Sequence, residues 1–132
     1  MAWIYFNLNP EEKRTGDCVV RAIAYATEQT WDQTYWDLAE LAFERAEMPS
    51  WNSAWWDLLK RKGFKRHVIP DTCPECYTVN DFCDDHPKGK YVLFIPHSSE
   101  ESGHVVAVDN GNAYDTWNCL GEIPLVYFSK EE

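Results

Sequence analysis

The chain has 132 residues, 45% of them hydrophobic, with seven tryptophans, five cysteines and a formal charge of −10. A chain of this size fits one domain spanning 1–132 with a substantial core, and its negative field repels nucleic-acid backbones and anionic membranes, which excludes both as main partners. No apolar run approaches the roughly 18 residues of a membrane span, and the opening MAWIYFNLNP lacks a basic segment followed by a long apolar one, so a cytoplasm is the expected compartment and thiols or metal ligands the expected state of the cysteines.

Trp3 to Phe6 reads as a short strand, followed by a polar loop from Asn7 to Gly16. The first helix starts near Asp17: Val19, Val20, Ile23 and Ala24 recur at the spacing of one helical face, and Thr15 or Asp17 is placed to accept hydrogen bonds from the free amides of the first turn. Cys18 therefore belongs to that first turn. A second helix begins after Thr30, with Gln33 completing a capping-box pattern and Trp31, Tyr35, Leu38, Ala42 and Ala46 as its apolar stripe, and it stops at Met48-Pro49. The third runs from Asn52 to Lys62 with Trp55, Leu58 and Leu59 inward and Gly63 in the left-handed cap position. Beyond it, Lys65 to Ile69 reads as a strand, Thr78 to Asp85 as a short helix, and Tyr91–Ile95, His104–Val108, Ala113–Trp117 and Ile123–Phe128 as four strands, with Asn110-Gly111 as a tight hairpin. Helices first and an antiparallel meander last make an α+β order.

Two groups of residues carry chemistry. A thiol becomes nucleophilic when a helix N-terminus and a nearby imidazole lower its pKa; Cys18 has the first by position, and His104, at the head of a strand, supplies the second. Asp115, across the hairpin, is placed to orient the His104 ring. Each also has a plainer reading: a packed thiol, a satisfied histidine at a strand end, a hairpin carboxylate. The second group is Cys73 and Cys76, followed by Cys83 and His86, whose paired spacing fits a structural zinc, a set of reduced thiols or a redox pair. His67 and His97 have no evident partner, and Cys119 is either a packed thiol or a spare. Trp51, Trp55, Trp56 and Trp117 are candidates for lining a cleft, with packing as the simpler account.

The stretches RTGDCVVRAIA, the W-D-x-x-Y-x-x-L pattern at Trp31 to Leu38, PDTCPECYTVNDFC, HPKGKYV, GHVVAV and YDTW together resemble a set of small single-domain proteins of tailed phages and prophages of gut bacteria, similar in layout to papain-like cysteine peptidases. The resemblance covers nearly the whole chain. It implies a papain-like fold, N-terminal helices packed on a C-terminal antiparallel sheet, with Cys18 as nucleophile, His104 as general base and Asp115 as orienting acid. A working site of this kind is expected to hydrolyse a peptide, isopeptide or amide bond in a protein or peptide substrate, in a host cytoplasm and with no cofactor needed for catalysis. Papain-like enzymes place a glutamine before the cysteine to hold the oxyanion, and none precedes Cys18; Asn7 or Asn9 is the substitute this sequence offers, together with the Cys18 backbone amide. The competing expectation is an inactive protein of the same fold that binds a host or phage protein through its acidic, Trp-rich surface.

Overall fold

The computed structural model describes residues 2–96 and 103–130; His97 lies outside them. The elements run β1 (Trp3–Tyr5), α1 (Cys18–Thr27), α2 (Trp31–Glu44), α3 (Asn52–Arg61), β2 (Phe64–Val68), α4 (Val79–Asp85), β3 (Lys90–Pro96), β4 (Gly103–Asp109), β5 (Asn112–Asp115) and β6 (Val126–Lys130). This is an α+β chain with four helices and one mixed sheet of six strands, in the order β1-β5-β4-β3-β6-β2. No helix of the described residues is long and apolar enough to cross a membrane.

Local chemistry accounts for the helix boundaries. The Thr30 hydroxyl accepts the Gln33 N–H at 3.1 Å, but the Gln33 amide turns to Asp37 instead of closing the box. A complete box forms at α4, where Thr78 and Asp81 cap each other's backbone N–H. The second helix ends at Glu44, short of Met48-Pro49, because Ala46 takes a left-handed φ of 53°. Its buried face is Thr34, Leu38, Leu41 and Ala42; Tyr35, expected inside, is exposed and stacks on Trp31. Gly63 ends the third helix at φ +90°, as its position predicts.

The antiparallel meander extends only over β3, β4 and β5. The last strand, β6, returns to pair with the far side of β3, and β1 lies parallel to β5, so the sheet is mixed instead of wholly antiparallel. The physical reason is specific: no short turn constrains β1, and the Asp115 carbonyl accepts both the Trp3 indole N–H at 3.0 Å and the Phe6 N–H at 3.1 Å, drawing β1 alongside β5. The two central strands are buried on both faces. Val92, Phe94, Val105 and Ala107 pack with Ile23, Leu38, Trp55 and Leu59 under α1 to α3, whereas Leu93, Ile95, Val106 and Val108 pack with Val79, Phe82 and Cys83 of α4 on the other side. The period of two between the strands' faces sorts their continuous apolar runs into these two cores.

Candidate active site

Cys18 is the first residue of α1, a helix that lies against β4 and is half-buried there at its N-terminal end. The Asp17 side chain occupies the N-cap position but caps nothing. Its carboxylate instead accepts the Arg21 Nε–H at 2.8 Å, the Asn9 amide at 3.1 Å and the Trp31 indole N–H at 2.9 Å. A guanidinium offers Asp17 a stronger, charge-assisted bond than a backbone amide does. The first intrahelical bond is Arg21 N–H to the Asp17 carbonyl, so the N–H groups of residues 18 to 20 stand outside the helix ladder and uncapped by Asp17.

His104 enters from β4. Gly103 before it lies so close to β3 that an added Cβ would meet the Ile95 carbonyl and the Phe94 ring at 2.5 Å each, which fixes the strand where the imidazole begins. The β4–β5 hairpin turns on Asn110 and Gly111, the tight hairpin read from the sequence, and both have the positive φ (49° and 78°) that a type I′ turn needs. Its register sets Ala107 against Tyr114; continued, it sets His104 against Trp117 and makes Asp115 the diagonal neighbour of His104 on the same face. The contacts agree. His104 Nε2 hydrogen-bonds Asp115 Oδ2, and the Trp117 ring lies 4.8 Å from the imidazole. With Nε2 engaged, Nδ1 is the nitrogen left for the hydrogen bond His104 makes with Cys18.

The charges are coupled through this chain. Burial opposes the Cys18 thiolate, but the His104 hydrogen bond and charge, a backbone bond at Val105 and the Arg21 charge outweigh it and hold the thiol below its ordinary range. Burial likewise opposes the imidazolium, and the hydrogen bonds to Asp115 and Cys18 raise His104 to about 9. Asp115, 1% exposed, is kept below the usual carboxylate range against its own burial by His104, the Thr116 N–H and Arg21. The two shifts run in opposite senses, the thiol lowered and the imidazole raised, and both favour a thiolate beside an imidazolium.

Arg21 is the functional residue that sequence reasoning missed. Its Nη1 donates to Asp115 Oδ1 at 3.0 Å while its Nε holds Asp17, so one guanidinium ties the helix start to the strand that carries the orienting acid. The Asp17–Arg21 half, four residues apart on one helix, was there to be read; the Asp115 half, 94 residues away, was not. Cys119, left without a role, is buried with its thiol hydrogen-bonded to Asp115 and pushed well above its ordinary range by burial and that carboxylate. His104, Asp115 and Cys119 are the one group among the described residues whose metal-type ligand atoms lie within 4.8 Å of one another, but Asp115 already serves His104, Arg21 and Thr116.

Other expectations divide. The amides of Asn7 and Asn9, the oxyanion candidates, each spend an N–H on the loop before α1: Asn7 donates to the Lys13 carbonyl and Asn9 to Asp17. Cys73, Cys76, Cys83 and His86 are not brought together. Cys73 and Cys76 are exposed on their loop, Cys83 is fully buried as a packing residue with its thiol raised to about 11 by burial, and His86 stacks on Phe82 with Nδ1 facing the Phe82 carbonyl at 2.9 Å. His67 stacks on Tyr127 and pairs with the Ser129 hydroxyl. Of the four tryptophans, Trp117 alone touches a proposed catalytic side chain; Trp55 is wholly core.

Fold and site together define an α+β domain with a mixed sheet, carrying a Cys–His–Asp constellation between a helix N-terminus and a β-hairpin. Compared with protein-family models, curated proteins and solved structures, the chain finds no match.

Proposed function

We propose that the protein is a papain-like thiol hydrolase, phage-encoded and acting in the host cytoplasm on a peptide, isopeptide or amide bond of a protein or peptide. The observation that carries this reading is the series Cys18–His104–Asp115, a half-buried thiol followed by a buried imidazole and carboxylate, in which the thiol is lowered and the imidazole raised. A packed thiol needs no such partner; Cys83 and Cys119, which are packed, are both raised.

In the reaction the Cys18 thiolate adds to the substrate carbonyl carbon, and the carbonyl π electrons move to oxygen. The uncapped N–H groups at the start of α1 face the charge that develops there. Collapse of this intermediate breaks the C–N bond, the amine leaves with the proton held on His104, and a thioester remains. His104 then takes a proton from water, hydroxide adds to the thioester carbonyl, and the acid departs as Cys18 regains its thiolate. Throughout, Asp115 fixes the ring and Arg21 fixes Asp115.

The test is alkylation of each cysteine as a function of pH, resolved by peptide mass spectrometry, with exposed Cys73 and Cys76 as internal references. Cys18 is expected to react well below the roughly 8.5 of a free thiol, to lose that reactivity in His104→Ala, and to be labelled by peptidyl vinyl sulfones in wild type only. A Cys18 that titrates with Cys73 and Cys76 would overturn the reading and leave a binding protein of the same fold.

A further inference from the structure

Four of the chain's twelve Lys and Arg residues line one corner. A groove of about 550 Å³ runs where α3 meets β2, with Trp56, Phe64 and Phe128 in its floor and Lys60, Lys65 and Arg66 at its rim. Arg45 also lines it, and the one carboxylate inside, Asp57, is shared by Arg45 and Arg61 at 3.1 and 3.2 Å. Lys60 and Lys65 have no carboxylate within 4 Å among the described residues, and the Arg66 guanidinium lies 4.9 Å over the Trp56 ring. The groove therefore presents four cations against one acid in a chain of net charge −10.

Three further facts describe what fits there. Phe64, Lys65 and Arg66 are consecutive on β2, so their side chains alternate between faces, yet all three line the groove; it follows the edge of the strand. That edge is open, because β2 is the last strand of the sheet and pairs only with β6. Every second residue of such a strand points its N–H and C=O outward, a template for another strand. Finally, the Trp56 indole N–H is the one buried side-chain polar atom among the described residues without a hydrogen-bond partner, and Trp56 forms the groove wall. Such a donor calls for an acceptor, which water or a group seated in the groove can supply.

We infer that this corner binds an acidic, extended peptide segment, which adds to β2 as a seventh strand, sets carboxylates against Lys60, Lys65 and Arg66, and seats one apolar side chain on the aromatic floor. Main-chain pairing supplies the general affinity and the cationic rim the selectivity. The corner is three strand positions from β4, about 14 Å at the usual spacing, so docking there leaves Cys18 free.

The probe is a labelled peptide alternating Glu with apolar residues around a central Phe, followed by fluorescence anisotropy, with the Lys-for-Glu peptide as comparison. Wild type is expected to bind the acidic peptide and not the basic one. Charge reversal at exposed positions, Lys65→Glu with Arg66→Glu or Lys60→Glu alone, should weaken it about tenfold or more. Replacing alternate residues of the peptide by Pro, which removes the pairing N–H groups, should abolish binding, and the Trp56 indole N–H resonance should shift on titration. Cys18→Ala should bind as wild type does, so that loss of the hydrolase reading leaves this one standing. Absence of binding, equal binding of the basic peptide, indifference to charge reversal, or sedimentation showing a second copy of the chain seated on the groove would each overturn it.

Discussion

Arg21→Ala removes the guanidinium that bridges two buried carboxylates, Asp17 and Asp115. The side chains of Arg21, Asp17 and Asp115 are 12%, 6% and 1% exposed, and breaking a buried ion pair by removing one partner costs about 3–5 kcal/mol. Each carboxylate keeps other donors, Asn9 and Trp31 for Asp17, His104 and Thr116 for Asp115, so the expected loss lies at the lower end, about 3 kcal/mol. With a urea slope of about 2 kcal/mol per molar, that moves the unfolding midpoint down by roughly 1.5 M. The pH dependence follows from the two acids. Burial raises both, and their hydrogen bonds and Arg21 bring both below the usual range. A lowered carboxylate contributes stability that is complete above its unfolded value, about 3.9, and is lost as pH falls through its folded value. Removing Arg21 removes part of that contribution, so wild type and variant should differ most near pH 7 and converge as pH falls below about 4. Arg21→Lys, which keeps the charge and loses the two-pronged fork, should fall between them. A loss under about 1 kcal/mol at pH 7, or a gap that stays constant on acidification, would refute the placing of Arg21 as the brace between helix and hairpin.

Two other outcomes are expected. The raised His104 contributes stability that is complete below its unfolded value near 6.5 and lost as pH rises through about 9, while the lowered Cys18 contributes stability that is complete above roughly 8.5 and lost as pH falls; the two slopes are opposite in sign and offset one another where they overlap. Wild type should therefore vary less with pH from about 6.5 to 8.5 than Cys18→Ser, which keeps only the imidazole and should lose stability as pH rises across that window; denaturant midpoints at four pH values decide it, and parallel profiles would sink the ion pair. Gly103→Ala forces a Cβ to 2.5 Å from the Ile95 carbonyl and should cost about 1–3 kcal/mol, with slower Cys18 alkylation as His104 shifts; an unchanged unfolding midpoint would mean β3 and β4 are less closely apposed at that end.

Much of the architecture was legible because it rests on local signals. Thr30 and Thr78 cap helices, Asn110-Gly111 turns a hairpin, and Gly63 takes a left-handed conformation, all short-range chemistry. The Cys18, His104 and Asp115 proposal was legible for the same reason: a helix start and a hairpin register place them. What escaped was decided by distant partners. Asp17 reads as a cap until Arg21 and Trp31 compete for it, Tyr35 reads as core until Trp31 offers a stacking surface outside, and β1 reads as the start of the sheet although the Asp115 carbonyl fixes it at an edge. The cysteine spacing left zinc, reduced thiols and a redox pair open; in the fold Cys83 answers to the helical face that buries it, while Cys73 and Cys76 lie exposed on their loop.

The parallel pairing of β1 with β5 joins residues 110 apart, Trp3 with Ala113. On a ribosome the chain emerges from its N-terminus at about 5–20 residues per second, so the thiol of Cys18 appears seconds before the histidine and aspartate that would charge it exist. Until the hairpin is made and the first strand closes on it, the sulfur remains an ordinary protonated thiol. On the hydrolase proposed above, this topology would tie the thiol's reactivity to completion of the fold.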